Sequence, residues 1–309
     1  MRVLITGGAG FIGSHIAEYF NGKAEIRIFD NLRTGYKHNL DGLDVEFIEG
    51  DICDRAAVKA AMQGVDYVFH LAAMVSVPES MFKPGECVDI NVHGLLNVLE
   101  EAAAAGVKKL CFSTSAAIYG DNPVVPKLET MIPEPKSPYA ITKLDGEYYC
   151  NMFTREGKLQ TACLRYFNVF GPRQDPKSAY AAAIPIFTAK AVANEDITIY
   201  GEGLQTRSFQ YVDDLIEGMV RMMENEHGFI GPVNIGNPGE FTIRQLADMV
   251  LQKIPTNSKL VQRPLPADDP TQRRPDITLA GEQLGWAPTI ALSEGLDKTI
   301  TYFREKLGL

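Results

Sequence analysis

Short apolar runs alternate, through the first half of the chain, with segments whose apolar residues recur every three or four positions. The first pattern predicts β-strands and the second predicts amphipathic helices. Six strands are predicted here, at residues 2–6, 25–29, 45–51, 67–73, 109–113 and 161–165. Four helices are predicted between them, at residues 12–20, 55–62, 89–105 and 139–154. Nearly continuous apolar strands separated by helices predict a parallel sheet covered on both faces, which is the doubly wound α/β Rossmann fold.

The pattern changes after residue 171, where prolines and glycines divide the chain into shorter pieces. A helix at 212–223 and a strand at 232–235 then resume the pattern of the first half. We therefore predict a first domain of residues 1–171 that also takes in residues 211–237. Residues 172–210 and 238–309 are predicted to form a smaller C-terminal α/β domain.

Composition narrows the classes of partner. The 309 residues are 45% hydrophobic and 22% charged, which is a normal globular balance. A formal net charge of −9 argues against a nucleic acid or an anionic membrane as partner. The five cysteines are scattered, odd in number and without a C-x-x-C pair, so they indicate reduced thiols. No apolar run approaches the ~18 residues of a membrane span, and no signal peptide precedes the first strand, so we expect a cytoplasmic protein. We predict no metal site.

Three glycines at a fixed spacing, Gly7, Gly10 and Gly13, join the first predicted strand to the first helix. Glycines at such a turn let backbone N–H groups approach a pyrophosphate at a helix N-terminus. The second strand ends in Asp30, whose carboxylate can accept hydrogen bonds from ribose hydroxyls and would repel a 2′-phosphate. An ordinary strand–turn–helix unit is the simpler interpretation, but strand, helix and acid together favour an NAD site.

Hydroxyl side chains follow the fifth predicted strand, at the edge where doubly wound folds bind ligands. They belong to Ser113, Thr114 and Ser115. Alone, these side chains could equally cap a turn, so their meaning depends on what lies near them.

Tyr139 and Lys143 lie four residues apart at the start of a predicted helix and therefore share a face. A lysine ammonium and a positive nicotinamide ring would both lower the pKa of the phenol, which is near 10 when free. A tyrosine tuned in this way can remove the proton of a sugar hydroxyl while hydride leaves the same carbon. The alternative is a surface tyrosine one turn from an ordinary lysine.

Several short motifs stand at the ends of predicted strands and at the start of a helix. They are T-G-G-A-G-F-I-G at 6–13, D-N-L at 30–32, H-L-A-A at 70–73, S-T-S at 113–115 with Y-G at 119–120, Y-x-x-x-K at 139–143 and R-Y-F-N-V-F-G-P at 165–172. Together they resemble the extended short-chain dehydrogenase/reductase family, and most of all its nucleoside-diphosphate-sugar 4-epimerases. The resemblance spans the whole chain, and the wide spacing of the glycines is the family's own.

The resemblance implies a role for each matching residue. Tyr139, Lys143 and Ser115 would be catalytic, with Ser115 hydrogen-bonded to the sugar. Substrate would be bound by Ser115, Asn168, Arg207 and Arg273. Arg207 would bind the pyrophosphate, for which an arginine fork is well suited, although a surface arginine in a Gly-rich turn is the alternative. The residues implied to contact NAD are Gly7, Gly10, Phe11, Ile12, Asp30, Asn31, Asp51, Ile52, Leu71, Ala72, Tyr139, Lys143 and Tyr166.

The reaction that the resemblance implies is inversion at C4 of a UDP-hexose, either UDP-glucose/UDP-galactose or the N-acetyl forms. Tyr139 would remove the proton of the C4 hydroxyl while NAD takes the C4 hydride. The transient 4-keto sugar would turn over, and hydride would return to its other face. NAD would be regenerated in each turnover and would stay bound.

Relatives that share the first oxidation differ in the residues that follow Ser115. Dehydratases of the family carry an Asp-Glu pair there, and UDP-glucuronate decarboxylases carry a Glu at the second position, whereas this chain has Ala116 and Ala117. Residues 205–212 and 268–277 nevertheless resemble the decarboxylases, and residues 165–185 resemble epimerases that accept N-acetylated sugars. Because chemistry depends on the site, the missing acid leads us to expect an epimerase, with a UDP-glucuronate decarboxylase as the alternative.

The resemblance also bears on substrate size, assembly and activity. In the epimerases, a small residue at the position of Arg273 admits an N-acetyl group and a tyrosine excludes it. Arg273 is neither, so the resemblance does not decide whether the sugar is N-acetylated. Helices 89–105 and 138–154 resemble a pair that forms a dimer interface, so we expect a homodimer, although both helices could simply cover the sheet. Dinucleotide-binding relatives that act only as regulators lack the Tyr–Lys pair, which this chain has.

Overall fold

The computed structural model describes residues 1–176, 183–225, 228–264 and 274–307. Its strands are β1 (Arg2–Thr6), β2 (Glu25–Asp30), β3 (Val45–Glu49), β4 (Tyr67–His70), β5 (Lys109–Ser115), β6 (Gln160–Tyr166), β7 (Val169–Phe170), β8 (Ile197–Tyr200), β9 (Thr206–Arg207), β10 (Gln210–Tyr211), β11 (Val233–Ile235), β12 (Phe241–Thr242) and β13 (Leu260–Arg263). Its α-helices are α1 (Phe11–Phe20), α2 (Arg55–Ala61), α3 (Val77–Phe82), α4 (Pro84–Val88), α5 (Gly94–Ala104), α6 (Pro138–Arg155), α7 (Ala183–Val192), α8 (Val212–Glu224), α9 (Ile243–Lys253), α10 (Thr278–Leu284) and α11 (Leu292–Leu307).

Seven parallel strands form the central sheet, in the order β11-β6-β5-β4-β1-β2-β3. The chain builds outward from β1 to β3 in one direction and from β4 to β11 in the other. The loops that leave β1 and β4 therefore diverge and open a crevice at the carboxyl edge of the sheet, where such folds bind ligands. This sheet confirms the predicted doubly wound Rossmann fold.

Two apolar clusters cover the two faces of the sheet. One includes Ile16 of α1 and Met219 of α8, both fully buried. The other includes Val58 of α2, Leu99 of α5 and Cys150 of α6. Burial on both faces is the reason that the strands are almost continuously apolar in sequence. None of the described helices is long and apolar enough to cross a membrane.

Most predicted elements lie where the sequence placed them, and the differences occur at their ends. Asp54 caps α2 as predicted, because its side chain accepts two backbone N–H bonds of 2.9 and 3.1 Å. Gly106 follows the end of α5 with a φ of +73°. The predicted strand 67–73 ends at His70, because the next two backbone N–H groups both turn back to the carbonyl of Thr6. The predicted helix 89–105 begins as a π-helical turn, Asp89–His93.

The second half of the chain adds three short strand pairs. β7 pairs with β10 and β8 pairs with β13 in parallel, and β9 pairs with β12 in antiparallel. Within this half, β11 joins the central sheet beside β6, and α8 packs against the sheet through β5 and β6. The predicted division into two domains stays a prediction.

A buried ion pair fastens α6 to the sheet. The carboxylate of Glu147 accepts two bonds from the guanidinium of Arg165, of 2.9 and 2.7 Å, and one of 2.7 Å from the hydroxyl of Thr114. Both charged side chains are about 95% buried, with 4% and 6% exposed. Glu147 lies two turns after Tyr139, and Thr114 precedes Ser115, so this pair fixes the start of α6 against the end of β5.

We expect the Glu147→Gln variant to unfold more easily than the natural protein by about 3–5 kcal/mol, because the buried guanidinium of Arg165 would lose the carboxylate that accepts its two hydrogen bonds. The midpoint of urea unfolding measures this change. Glu217→Gln is the matched control, since Glu217 pairs with Arg221 on an exposed helix face, where such pairs contribute about 1 kcal/mol or less. Equal losses in the two variants would contradict the role given to the buried pair.

Candidate active site

The turn between β1 and α1 leaves little room for side chains. At Gly7 the backbone φ is +71°, and an added Cβ would lie 2.7 Å from the backbone N of Ala72. At Gly13 it would lie 2.6 Å from the Cα of Gly8. At Gly10 the nearest contact would be the carbonyl oxygen of Gly7, at 3.2 Å. Gly7 and Gly13 therefore hold the turn itself, whereas Gly10 borders the open crevice.

The N-terminus of α1 faces this crevice without a side-chain cap from any described residue. Gly10 is the N-cap residue, and the first turn carries no acidic side chain. Phe11 and Ile12 therefore present backbone N–H groups that lack an intrahelical partner, at the positive end of the helix dipole. Such an end binds a diphosphate well, so the turn fits the pyrophosphate of a dinucleotide.

Asp30, at the end of β2, is 7% exposed. Its Oδ2 accepts the backbone N–H of Ala9 at 2.9 Å, and its Oδ1 accepts that of Leu32 at 2.8 Å. Burial raises the pKa of Asp30, and the two hydrogen bonds oppose this shift. A carboxylate has about four acceptor sites, so Asp30 keeps capacity for ribose hydroxyls. It also holds the glycine turn through Ala9, a role that the sequence did not reveal.

Three more of the residues predicted to contact NAD, Asn31, Asp51 and Ile52, follow β2 and β3. Asn31 follows β2 and Asp51 follows β3, and the Nδ2 of Asn31 donates to the Oδ2 of Asp51 at 2.8 Å. Ile52 is buried, with 4% exposed. The structure thus brings Asp30, Asn31 and Asp51 to one edge of the crevice.

Leu71 and Ala72 form the opposite wall of the crevice. Their backbone N–H groups both donate to the carbonyl of Thr6, each at 3.1 Å. Beneath them, the Oγ1 of Thr6 lies 2.7 Å from the Nδ1 of His70. Burial, with a smaller effect of Lys143, lowers the pKa of His70 to about 3. His70 is therefore a neutral part of the wall at physiological pH.

The three predicted catalytic residues meet at the end of β5 and the start of α6. The side chain of Ser115 lies beside the hydroxyl of Tyr139 and lowers the pKa of that phenol. The Oγ of Ser115 also accepts the backbone N–H of Ala117 at 3.1 Å. The Nζ of Lys143 donates to the carbonyl of Ser113 at 2.8 Å and lies 5.9 Å from the centre of the Tyr139 ring. The group can hold a hydroxyl oxygen at Ser115 and move its proton at Tyr139.

Burial dominates the protonation of this group. It raises the pKa of Tyr139 above its ordinary value, against a smaller lowering by the side chain of Ser115. It lowers the pKa of Lys143 to about 8. The predicted lowering of the phenol's pKa is therefore not produced by the chain's own groups. The ammonium of Lys143 donates to a backbone carbonyl, and desolvation costs the phenolate more than the neighbouring groups return.

Tyr166, predicted to contact NAD, lies beside the catalytic group at the end of β6. Its hydroxyl donates to the Sδ of Met219 at 3.2 Å and lies near the side chain of Ser113. Burial raises the pKa of Tyr166 well above its ordinary value. Tyr166 therefore stays a neutral hydroxyl, next to the strand end that also binds Lys143.

The predicted substrate residues other than Ser115 lie farther along the chain. Asn168 is exposed, and its backbone is in the left-handed region, with a φ of +42°. Its Nδ2 donates to the carbonyl of Ser208 at 2.9 Å. Arg207 is half-buried in β9, and its Nη1 donates to the carbonyl of Thr206 at 2.8 Å. Asn168 therefore ties the end of β6 to the segment that carries Arg207. Arg273 lies outside the described residues.

The hydrogen bonds that hold the segment after β4 in place could not be predicted from the sequence. The buried hydroxyl of Ser80 accepts the backbone N–H of Tyr139 at 3.2 Å, so α3 is tied to the catalytic helix. The side chain of Asn91, in the π-helical turn, accepts the N–H of Met74 at 2.7 Å and donates to its carbonyl at 3.1 Å. Both pairings join residues far apart in sequence, and no local pattern marks them.

Comparison with known proteins adds to this geometry. The model of the NAD dependent epimerase/dehydratase family matches residues 3–236. The chain belongs to this family. Membership confirms the predicted resemblance to a family of NAD-dependent enzymes that modify sugar nucleotides, and with it NAD as the cofactor.

Three relatives of this epimerase/dehydratase chain illustrate the range of the family. UDP-glucuronic acid decarboxylase 4 of Arabidopsis thaliana is 38% identical over 317 residues, which cover 99% of this chain and 69% of that protein. UDP-glucose 4-epimerase of Thermotoga maritima, solved with UDP-glucose, is 38% identical with a TM-score of 0.93, covering 99% and 100% of the two chains. UDP-glucose 4-epimerase of Thermus thermophilus, solved with NAD, is 33% identical with a TM-score of 0.90, covering 98% and 99%.

The glycine turn yields a test of the NAD site. In Gly10→Ala the added methyl group would lie 3.2 Å from the carbonyl oxygen of Gly7, a tight contact that the turn must relieve by a small shift. Circular dichroism checks that the variant folds, and we expect the methyl group to crowd the pyrophosphate. Losing one hydrogen bond to a charged group costs about 1.5–3 kcal/mol, so NAD affinity should fall about tenfold or more. Titration calorimetry with NAD measures this, and Gly281→Ala in α10, with 3.9 Å to its nearest neighbour, is the control. Unchanged affinity in Gly10→Ala would place the pyrophosphate elsewhere.

Proposed function

We propose that this protein inverts C4 of a UDP-hexose, such as UDP-glucose or its N-acetyl form, through a transient 4-keto intermediate. The observation that carries the proposal is the end of β5. Ser115 lies beside the hydroxyl of Tyr139, and the residues that follow are Ala116 and Ala117. Inversion at C4 requires one group that moves a proton, whereas elimination of water requires a further acid or base.

The surroundings of Tyr139 support this choice. Burial and the thiol of Cys87 raise the pKa of Tyr139, and the side chain of Ser115 lowers it. The carboxylate that lies two turns along the same helix, Glu147, is fully engaged by Arg165 and Thr114. We therefore assign proton transfer to Tyr139, the side chain of this group that lies beside Ser115.

Each residue of the group then has a role. Ser115 holds the C4 hydroxyl oxygen, and Tyr139 removes its proton and later returns it. Lys143, whose pKa of about 8 keeps it mostly charged at neutral pH, provides a positive field behind the phenol. NAD, when bound, would supply the acceptor and donor of the hydride and a second positive charge. That charge would oppose the burial that raises the pKa of Tyr139 in the chain alone.

We assign the cofactor contacts to the residues that line the crevice. Gly7, Gly10, Phe11 and Ile12 bind the pyrophosphate, and Leu71, Ala72, Tyr139, Lys143 and Tyr166 surround the nicotinamide end. Asp30, Asn31, Asp51 and Ile52 bind the adenosine end. On the substrate side, Asn168 holds the phosphate or the sugar, Arg207 binds the pyrophosphate, and Arg273 stands at the position that controls the size of the sugar pocket. In a chain of net charge −9 the diphosphate requires such local cations.

A decarboxylase acting on UDP-glucuronate is the second candidate. The identity of 38% to the decarboxylase of Arabidopsis thaliana across 99% of this chain favours it. Ala117 argues against it, because decarboxylases of the family carry a Glu at that position. We rank the epimerase first, because the catalytic end of β5 bears directly on the chemistry and overall identity does not.

Turnover of a panel of sugar nucleotides separates the two candidates. Purified protein is incubated with UDP-glucose, UDP-N-acetylglucosamine or UDP-glucuronate, and the configuration at C4 is followed by proton NMR. We expect inversion at C4 of at least one neutral hexose and no release of carbon dioxide. Release of carbon dioxide from UDP-glucuronate, with unchanged C4 in every hexose, would replace the epimerase by the decarboxylase.

The same assay tests the catalytic tyrosine. Loss of a positioned acid–base group costs about 10²–10⁴ in rate, so Tyr139→Phe should lose that much activity while its NAD content stays unchanged. Tyr67→Phe is the control, because Tyr67 is the first residue of β4 and therefore lies at the end of that strand away from the crevice. Retained activity in Tyr139→Phe would mean that another group moves the proton.

We also propose that the protein is a homodimer assembled through α6 and the neighbouring α5. Ile141, Tyr148 and Met152 are 54%, 63% and 40% exposed, and their spacing places them on one face of α6. An exposed apolar stripe of this kind marks a protein contact. Light scattering at micromolar concentration should give the mass of two 34.0 kDa chains, and Tyr148→Glu should give one. A single-chain mass for the natural protein would contradict the dimer.

A further inference from the structure

Arg33 makes a double ion pair that neither the sequence motifs nor the catalytic mechanism uses. Its Nη2 donates to the Oε1 of Glu79 at 2.8 Å, and its Nη1 donates to the Oε1 of Glu86 at 2.6 Å. The three side chains are only 29–39% exposed. Lys83 lies 3.4 and 3.3 Å from the same two carboxylates and completes a network of four charges.

These ion pairs cross the dinucleotide crevice. Arg33 lies three residues past β2, whereas Glu79 and Glu86 lie in α3 and α4, past β4. In the sheet, β1 lies between β2 and β4, so a bridge between their loops passes over the carboxyl end of β1. The glycine turn and the uncapped N-terminus of α1 lie at that end. We call the ion pairs of Arg33 with Glu79 and Glu86 the clasp.

Both walls that the clasp joins are held independently of it. On one side, the hydroxyl of Ser80 accepts the N–H of Tyr139, which ties α3 to the catalytic helix. On the other side, the N–H of Leu32 donates to Asp30, and a Cβ on Gly35 would lie 2.8 Å from the backbone of Ala9. Breaking the clasp would therefore open the crevice without removing either wall.

We propose that the clasp closes over bound NAD and keeps it in the crevice between turnovers. The inference rests on the proposed function in one respect, since a cofactor regenerated in each turnover gains from long residence. Release of NAD then requires two part-buried ion pairs to open together. Ion pairs in a network contribute more than isolated surface pairs. Arg33 is thus a residue that retains the cofactor without taking part in proton transfer.

The test measures release of NAD from the purified, NAD-loaded protein. The protein is diluted into an excess of NADH as the trap, and the rate of NAD release is followed by sampling the filtrate. In Arg33→Ala the release rate should rise about tenfold, and the NAD content of freshly purified protein should fall. The double variant Glu79→Gln/Glu86→Gln should release NAD at the same raised rate, and combining all three changes should add little, because each breaks the same clasp.

Arg55→Ala is the matched control, because Arg55 also joins two glutamates, Glu100 and Glu101, at 2.6 and 2.7 Å, but between α2 and α5. Its NAD release rate should equal that of the natural protein. An unchanged release rate in Arg33→Ala would overturn the proposal, and so would an equal rise in Arg55→Ala. Because release is measured without sugar nucleotide, a failure of the epimerase assignment would leave this result readable by itself.

Discussion

The close approach of the backbone at the end of β1 is the constraint on which the rest of this site depends. Gly7 and Gly13 allow the turn to fold back against Ala72 and Gly8, with no space for a Cβ at either glycine. That turn sets the N-terminus of α1 over the crevice, where no side chain of the described residues caps it. Asp30 serves the same end from the next strand, because it binds the N–H of Ala9 within the turn.

The catalytic group depends on a second, buried constraint. Glu147 and Arg165 hold α6 against β5 and β6, and Thr114 joins the pair one residue before Ser115. The position of Tyr139 relative to Ser115 is therefore set by charges that never touch a substrate. Burial also raises the pKa of Tyr139 and lowers that of Lys143, so the chain alone holds the phenol neutral. A positive charge bound in the crevice would lower the pKa of Tyr139 and favour its phenolate form.

The parts of this architecture that sequence could predict are local. The glycine spacing, the acid at the end of β2, the Asp54 cap and the Tyr–Lys spacing all depend on residues within one turn or one strand–helix unit. Pairings between distant residues could not be predicted in this way. Arg33 meets its partners 46 and 53 residues away, and no periodicity marks such a contact. The pKa of Tyr139 also depends on burial, which arises only when β5, β6 and α6 assemble.

The central claim is that hydride removed from C4 stays in the crevice and returns to the same carbon. A UDP-hexose substrate carrying deuterium at C4 tests it most directly. Our account predicts that the C4-inverted product keeps its deuterium at C4 in full, as measured by NMR and mass spectrometry after many turnovers. Loss of deuterium from C4 to solvent during inversion would contradict the account.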